Sequence, residues 1–247
     1  MHSNLSRLGL AVVLVCSGLQ AQAIGRIADV TVIDRNTGAT LPVYHSRGEH
    51  WVAGAPGARY AIAVRNKLGE RVMAVTSVDG INVLNGATAS WGQTGYVFGA
   101  YANYQITGWR KSNAEVAAFE FAADQDSYAE RTSRPNQVGV IGVALFKERM
   151  AERNRSADAV SEQSSGRMAM PAPKLGTGHG QREDSYVSQT SFERLQSQPH
   201  EIITIRYDSR ENLVASGVIV ERPNRVSNPF PNSDSFSYVP DPPARRY

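Results

Sequence analysis

From Ile27 to Phe146 the chain repeats one pattern: a short run in which apolar and polar residues alternate, closed by a turn containing glycine, asparagine or aspartate. In "ARYAIAVRN", Tyr60, Ile62 and Val64 fall on one face. In "EVAAFEFAA", Phe119 and Phe121 flank Glu120. A period of two suits a strand with one buried face and excludes an amphipathic helix over the same residues. "VGVIGVALF", apolar on both faces, reads as a central strand. "ARYAIAVRN" and "RVMAVTSVDG", joined by the "KLGE" turn at Lys67–Glu70, read as a hairpin. Many short strands at near-regular spacing predict a mainly all-β protein whose N-terminal part is β-sandwich-like. Ile62, Val64, Val72, Val75, Phe119, Phe121, Val140 and Val143 are its expected core.

The texture changes after Phe146. Residues 148–173 are charged, then small and polar, then Met- and Pro-containing, without a sustained period. A short frayed helix from Lys147 and a flexible linker are expected there. "KLGTGHGQREDSYV" follows, and its three glycines predict a loop. Thr190 with Glu193 three residues on has the form of a capping box, so a short helix is expected before Pro199. Ile203 and Ile205 then alternate with Thr204 and Arg206, "DSRE" reads as a turn, and Leu213 to Val220 reads as the return strand of a hairpin. A lone hairpin is marginal in water, so this one is expected to dock on the sandwich. The tail is rich in Pro, Ser and Asn and predicts disorder. The expected organisation is a leader (1–23), a β-sandwich domain (24–147), a linker (148–173), a block of Gly-rich loop, helix and hairpin (174–222) and a tail (223–247).

The leader rests on three features in order: Arg7, the apolar run Leu8–Leu19 and the small-x-small Ala21-Gln22-Ala23. These are the parts of a secretory signal peptide, with the mature chain starting near Ile24. A periplasmic or secreted location is therefore expected, with no transmembrane segment in the mature chain, since the apolar run is too short to span. The single cysteine, Cys16, sits inside that run; Val15 before it is a poor match to a lipidation site. Cleavage after Ala23 leaves no cysteine for a disulfide, a thiolate metal site or a nucleophile. The formal charge of +3 comes from scattered lysines and arginines and gives no nucleic-acid stripe.

Catalytic signatures are sparse. "GTGHG" has the wrong glycine spacing and the wrong flanks for a dinucleotide fingerprint, and lacks the Lys-Ser/Thr end of a P-loop. His179 and Glu183 are four apart, a spacing that helps a metal only on a helix, which the glycines oppose. His45 and His50 flank a turn, out of register for a metal pair, and Asp124 and Asp126 read as solvated acids. There is no G-x-S-x-G elbow. No residue is assigned a catalytic role, and neither a metal nor a cofactor is expected. The candidate ligand- or partner-contacting residues are His179 and Glu183 in the Gly-rich stretch, and Trp91, Tyr101 and Trp109 in the aromatic run Ser90–Trp109.

"RVMAVTSVDGINVLNG", "ITGWRKSNAEVAAFEF", "NQVGVIGVALF", "LGTGHGQRE", "FERLQSQPHEIITIRYDS", "NPFP" and "YVPDPP" resemble a family of uncharacterised exported proteins of Gram-negative bacteria. The resemblance covers most of the mature chain. It implies that "LGTGHG" belongs to the family pattern, and it carries no activity, ligand or catalytic residue. The expected function is a non-enzymatic exported envelope protein, a binding or structural β-sandwich module. Its expected partner is another envelope protein or a cell-wall polymer, not nucleic acid. A carbohydrate- or wall-binding module using exposed aromatics is the alternative, followed by a hydrolase or metalloenzyme around His179, Glu183 and Asp184.

Overall fold

The computed structural model describes residues 23–149 and 175–220. The expected leader, nearly all of the expected linker and the expected tail lie outside the described residues. In chain order the strands are β1 (Ala28–Asp34), β2 (Val43–Ser46), β3 (Glu49–Gly54), β4 (Arg59–Asn66), β5 (Val72–Val78), β6 (Ile81–Asn82), β7 (Tyr96–Phe98), β8 (Asn103–Ile106), β9 (Gly108–Arg110), β10 (Glu115–Ala123), β11 (Val140–Lys147), β12 (Leu175–Asp184) and β13 (Glu201–Ser209). Two short helices, α1 (Tyr128–Arg131) and α2 (Arg210–Ala215), accompany them.

The protein is mainly β, with two sheets in a sandwich-like arrangement. One sheet runs β1-β4-β10-β12, with β8 on β4 and β9 on β10. The other runs β2-β3-β13-β11-β5-β6, with β7 on β5. Pairings are antiparallel except β13 with β3. The core between the sheets holds Val30, Val32, Tyr60, Ile62, Val64, Phe119, Phe121, Ile141, Val143, Ile205 and Tyr207. Val75 instead joins Met73 and Phe146 in a separate cluster with Phe192.

Several local expectations give way to tertiary contacts. The "KLGE" turn does not close a hairpin: β4 pairs with β1 and β5 with β11, so the turn carries the chain from one sheet to the other. Buried Asn66 holds that corner. Its Nδ2 donates to the carbonyls of Glu70 (2.7 Å) and Gly99 (2.8 Å), and its Oδ1 accepts from the Leu68 amide. Lys147 ends β11 rather than starting a helix; Glu148 bridges to Arg194 and binds Arg71. His45 and His50 are direct cross-strand partners with ring centroids 4.9 Å apart, not out of register. The two-residue turn at Arg47 and Gly48, both with positive φ, sets that pairing.

The C-terminal block departs furthest. "GTGHG" is part of a strand, β12, and not a loop. The stretch Thr190–Leu195 forms no helix, and Arg194 makes an isolated bridge to Glu148. Both Phe192 and Arg194 reach the same surface: Phe192 joins the Met73–Phe146 cluster, and the Arg194 guanidinium stacks 4.2 Å from the Phe146 ring centroid. Arg71 donates to Thr190 and Ser191, and Arg194 to the carbonyls of Trp91 and Gln93, which fixes the segment by long-range bonds. The hairpin is replaced by one strand and a helix. β13 lies inside its sheet between β3 and β11. Ser209 then caps α2, its Oγ accepting from the Asn212 amide at 3.2 Å, and Leu213 is buried. "DSRE" is thus a helix start, and the helix stops at Gly217, whose φ is +73°.

Candidate functional site

The two sheets meet at β12, and the meeting point is polar. Asp79 and Gly80 form the turn between β5 and β6, both with positive φ (52° and 73°), as a two-residue hairpin turn requires. That turn points the Asp79 carboxylate inward, where the residue is only 1% exposed. Its Oδ1 accepts from the Gly139 amide (2.9 Å) and the Tyr207 hydroxyl (2.5 Å), and its Oδ2 from the Thr177 amide (2.8 Å). Thr177 Oγ1 lies 2.6 Å from both the Tyr207 and the Tyr60 hydroxyls. With the carboxylate ionised, Tyr207 donates to Asp79, so Thr177 donates to Tyr207 and Tyr60 to Thr177. The Thr177 and Tyr207 hydroxyls then each give one hydrogen bond and take one, and the Tyr60 hydroxyl, at the end of the chain, gives one. The chain of bonds runs from β4 through β12 and β13 to the β5–β6 turn, so it ties one sheet to the other. Tyr60 also stacks on Phe121, with centroids 4.3 Å apart.

Burial dominates the electrostatics of this cluster. It pushes the Asp79 carboxyl up to about 7, against the opposing pull of Tyr207, Thr177, Gly139 and Val140. Burial, and then the Asp79 charge, push Tyr60 and Tyr207 well above the ordinary tyrosine range. A carboxyl titrating near neutrality is what acid–base catalysis uses. Here Tyr60, Asp79, Thr177 and Tyr207 are all at most 1% exposed, so the group is sealed from any substrate. It is a structural joint. β12 pairs with β10 on one edge, and on the other the Thr177 and Leu175 amides are satisfied by the carboxylates of Asp79 and Asp208.

The glycines of β12 serve close approach. None of Gly176, Gly178 and Gly180 has positive φ. A Cβ on Gly176 would sit 2.5 Å from Ser127 Cβ and 2.9 Å from Val138 Cγ1. Ser127 is fully buried and caps α1, accepting from the Glu130 amide at 3.0 Å. A Cβ on Gly178 would come closest to Ala122 Cβ, at 3.2 Å, with the Glu120 carbonyl at an ordinary 3.5 Å. Gly176→Ala should therefore cost about 1–3 kcal/mol, as overpacking does, and Gly178→Ala about 1 kcal/mol or less. Urea unfolding of the two variants measures the order.

His179 lies further along β12, at the rim of the core. Its ring is 5.7 Å from that of Tyr128 on α1. Lys111 Nζ is 5.6 Å from the Tyr128 ring centroid. Burial, then the charge of Lys111, with Arg131 and Arg182 adding, hold His179 below its ordinary range. Glu183 does not join His179. It is clamped by two arginines, Oε2 by Arg35 Nη1 (2.6 Å) and Oε1 by Arg59 Nη1 (2.8 Å). Trp109 is 2% exposed: its ring meets Phe119 edge-on and packs against Tyr128, and its Nε1 donates to the Gly178 carbonyl at 3.2 Å. It presents no face to a ligand. Trp91 (47% exposed) and Tyr101 (69%) are at the surface, and no ring contact joins them among the described residues. Asp124 is buried rather than solvated.

Sequence reasoning missed Asp79, Thr177, Tyr60 and Tyr207 as a unit, and Lys111 and Arg131 as neighbours of His179. The Asp79-Gly80 turn was legible, but the four joined residues lie on four separate elements. Among the described residues no group of three or more His, Cys, Asp or Glu is placed to hold a metal ion. No family model, no curated protein and no solved structure matches the chain.

Proposed function

We propose that the protein is an exported, non-enzymatic envelope module that binds another component of the envelope. One observation carries this reading: the ionisable groups divide into a sealed structural set and an exposed cationic set. The Asp79 carboxyl is closed in the core, and Glu183 is held by two arginines away from His179. The exposed set around His179 is Lys111, Arg131 and Arg182, which attract a charged ligand and offer no nucleophile with an adjacent base. Export is supported by the leader sequence: Arg7, the apolar run Leu8–Leu19 and Ala21-Gln22-Ala23. No helix among the described residues is long and apolar enough to cross a membrane. The wall- or carbohydrate-binding alternative keeps Trp91 and Tyr101 and loses Trp109, whose ring is enclosed.

The test is recovery of the tagged chain from a Gram-negative envelope after cross-linking. The expected result is an intact mass beginning at Ile24 and one stoichiometric partner. A chain that retains its leader, or that yields only itself, contradicts the proposal.

A further inference from the structure

We infer that Lys111, Arg131 and Arg182, with the rings of His179 and Tyr128, form a binding site for an oxyanion: a carboxylate or phosphate group carried by the ligand. The inference deepens the binding reading above and rests on it. Tyr128 and Arg131 are three apart on α1 and so share a face of its single turn. Lys111 follows β9, its amide bonded to the Glu115 carbonyl, and brings its ammonium over the Tyr128 ring. β12 supplies His179 against the same ring, and a register shift opposite Ala117–Phe119 pairs Arg182 with Ala117 and His179 with Phe119, returning Arg182 to the His179 face. Lys111 and His179 thus meet at one ring, that of Tyr128, and the charges of Arg131 and Arg182 act on the same histidine.

These charges are incompletely balanced. Arg182 reaches Glu115 at 3.2 Å, an exposed pair. Neither Lys111 nor Arg131 has an ion-pair partner among the described residues. Glu120 lies beside Gly180, on the opposite face of the sheet from Phe119 and His179. Glu130 has one carboxylate oxygen buried and pairs with neither cation. Like charges brought together by the backbone raise one another's energy, and an anion between them reverses the sign of that term. An ammonium, a guanidinium fork and an imidazole N–H match the oxygens of a carboxylate or phosphate.

The test is an NMR titration of the isotope-labelled chain with inorganic phosphate and, separately, with glucuronate, each against chloride at matched ionic strength. The expected result is saturable movement of the His179 ring and Arg131 side-chain signals with at least one oxyanion and not with chloride. Saturation by phosphate alone identifies a phosphate ligand, and by glucuronate alone an acidic sugar. The Lys111→Ala/Arg131→Ala double variant should weaken that binding at least tenfold with Tm unchanged, since both side chains are exposed. Movement that is linear, or equal with chloride, overturns the inference. Envelope capture separates it from the broader reading. If the double variant retains the wild-type partner, the site is wrong and the binding module stands. If phosphate or glucuronate saturates the site but no partner is captured, the site stands and the envelope reading fails.

Discussion

Asp79→Ala should lower the unfolding free energy by about 3–5 kcal/mol at neutral pH, the range for breaking a buried polar network. Three donors lose their acceptor together: the amides of Gly139 and Thr177 and the hydroxyl of Tyr207. Each buried donor left unpaired costs about 1–3 kcal/mol. Alanine must also adopt the φ of +52° that Asp79 holds, which aspartate tolerates better. Gains from removing a poorly solvated carboxylate offset part of this, so the estimate lies below the plain sum. Folded domains are stable by only about 5–15 kcal/mol, so the variant should be marginal. Urea unfolding at pH 7 gives the number, and a loss under about 1 kcal/mol would mean that the joint is held by packing alone. Tyr207→Phe, which keeps the ring, should fall between the wild type and Asp79→Ala.

Trp109→Ala should cost a similar amount, about 3–5 kcal/mol, the usual range for truncating a buried tryptophan. The indole fills the space between Phe119 and Tyr128, and its N–H satisfies the Gly178 carbonyl. The cavity left behind would adjoin α1, a single turn held by few bonds, so Tyr128 and His179 should lose their fixed positions. Trp109→Phe keeps one aromatic ring against Phe119 and Tyr128 and loses the second ring with its N–H, so it should cost less than Trp109→Ala. Thermal melts with the NMR signals of His179 read both effects. The same experiment separates Trp109 from Trp91: acrylamide should quench the exposed Trp91 and spare Trp109. A Trp109→Ala variant with the wild-type melting temperature would place that ring outside the core.

These two residues show what was legible in the sequence. Alternation in "ARYAIAVRN" and "EVAAFEFAA" gave β4 and β10, because a period of two records which face is buried. It could not give sheet membership. A short turn between two strands looks the same whether it closes a hairpin, as Asp79-Gly80 does, or crosses between sheets, as Lys67–Glu70 does. "LGTGHG" resisted reading for a different reason. Its strand character comes from partners: β10 on one edge, Asp79 and Asp208 on the other, and Ser127 against Gly176. Glycine contributes no side-chain period of its own. Thr190–Leu195 carries a helix-capping form yet forms no helix; Phe192 and Arg194 pack on the Phe146 surface instead, contacts that a local pattern does not record. Of the candidate residues, His179 was singled out by its flanking glycines, yet its cationic neighbours come from the segment after β9 and from α1, distant in sequence. Trp109 was recognisable as a large ring, and its burial was not.

The central claim is that a buried, hydrogen-bonded carboxyl, Asp79, sits sealed in the joint between the sheets, and the pH dependence of stability tests it most directly. Its folded value of about 7 stands above the ordinary 3.8. The folded protein therefore holds a proton that the unfolded chain has released. The stabilisation from that proton is complete below pH 4 and is lost as the pH rises through about 7. The full span of roughly three pKa units corresponds to about 4 kcal/mol. His179 and His200, both held below their usual range, act in the other sense, stabilising above about pH 6.5 and losing that contribution as the pH falls. Because they are common to both proteins, they cancel in a comparison with Asp79→Asn, which can keep the positive φ and cannot ionise. The measurement is unfolding free energy from pH 4 to pH 8 for the wild type and Asp79→Asn. The predicted difference, wild type minus variant, falls by a few kcal/mol between pH 4 and about pH 7 and levels off above it. A difference that stays flat, or rises with pH, would show that the Asp79 carboxyl is not the sealed joint described above.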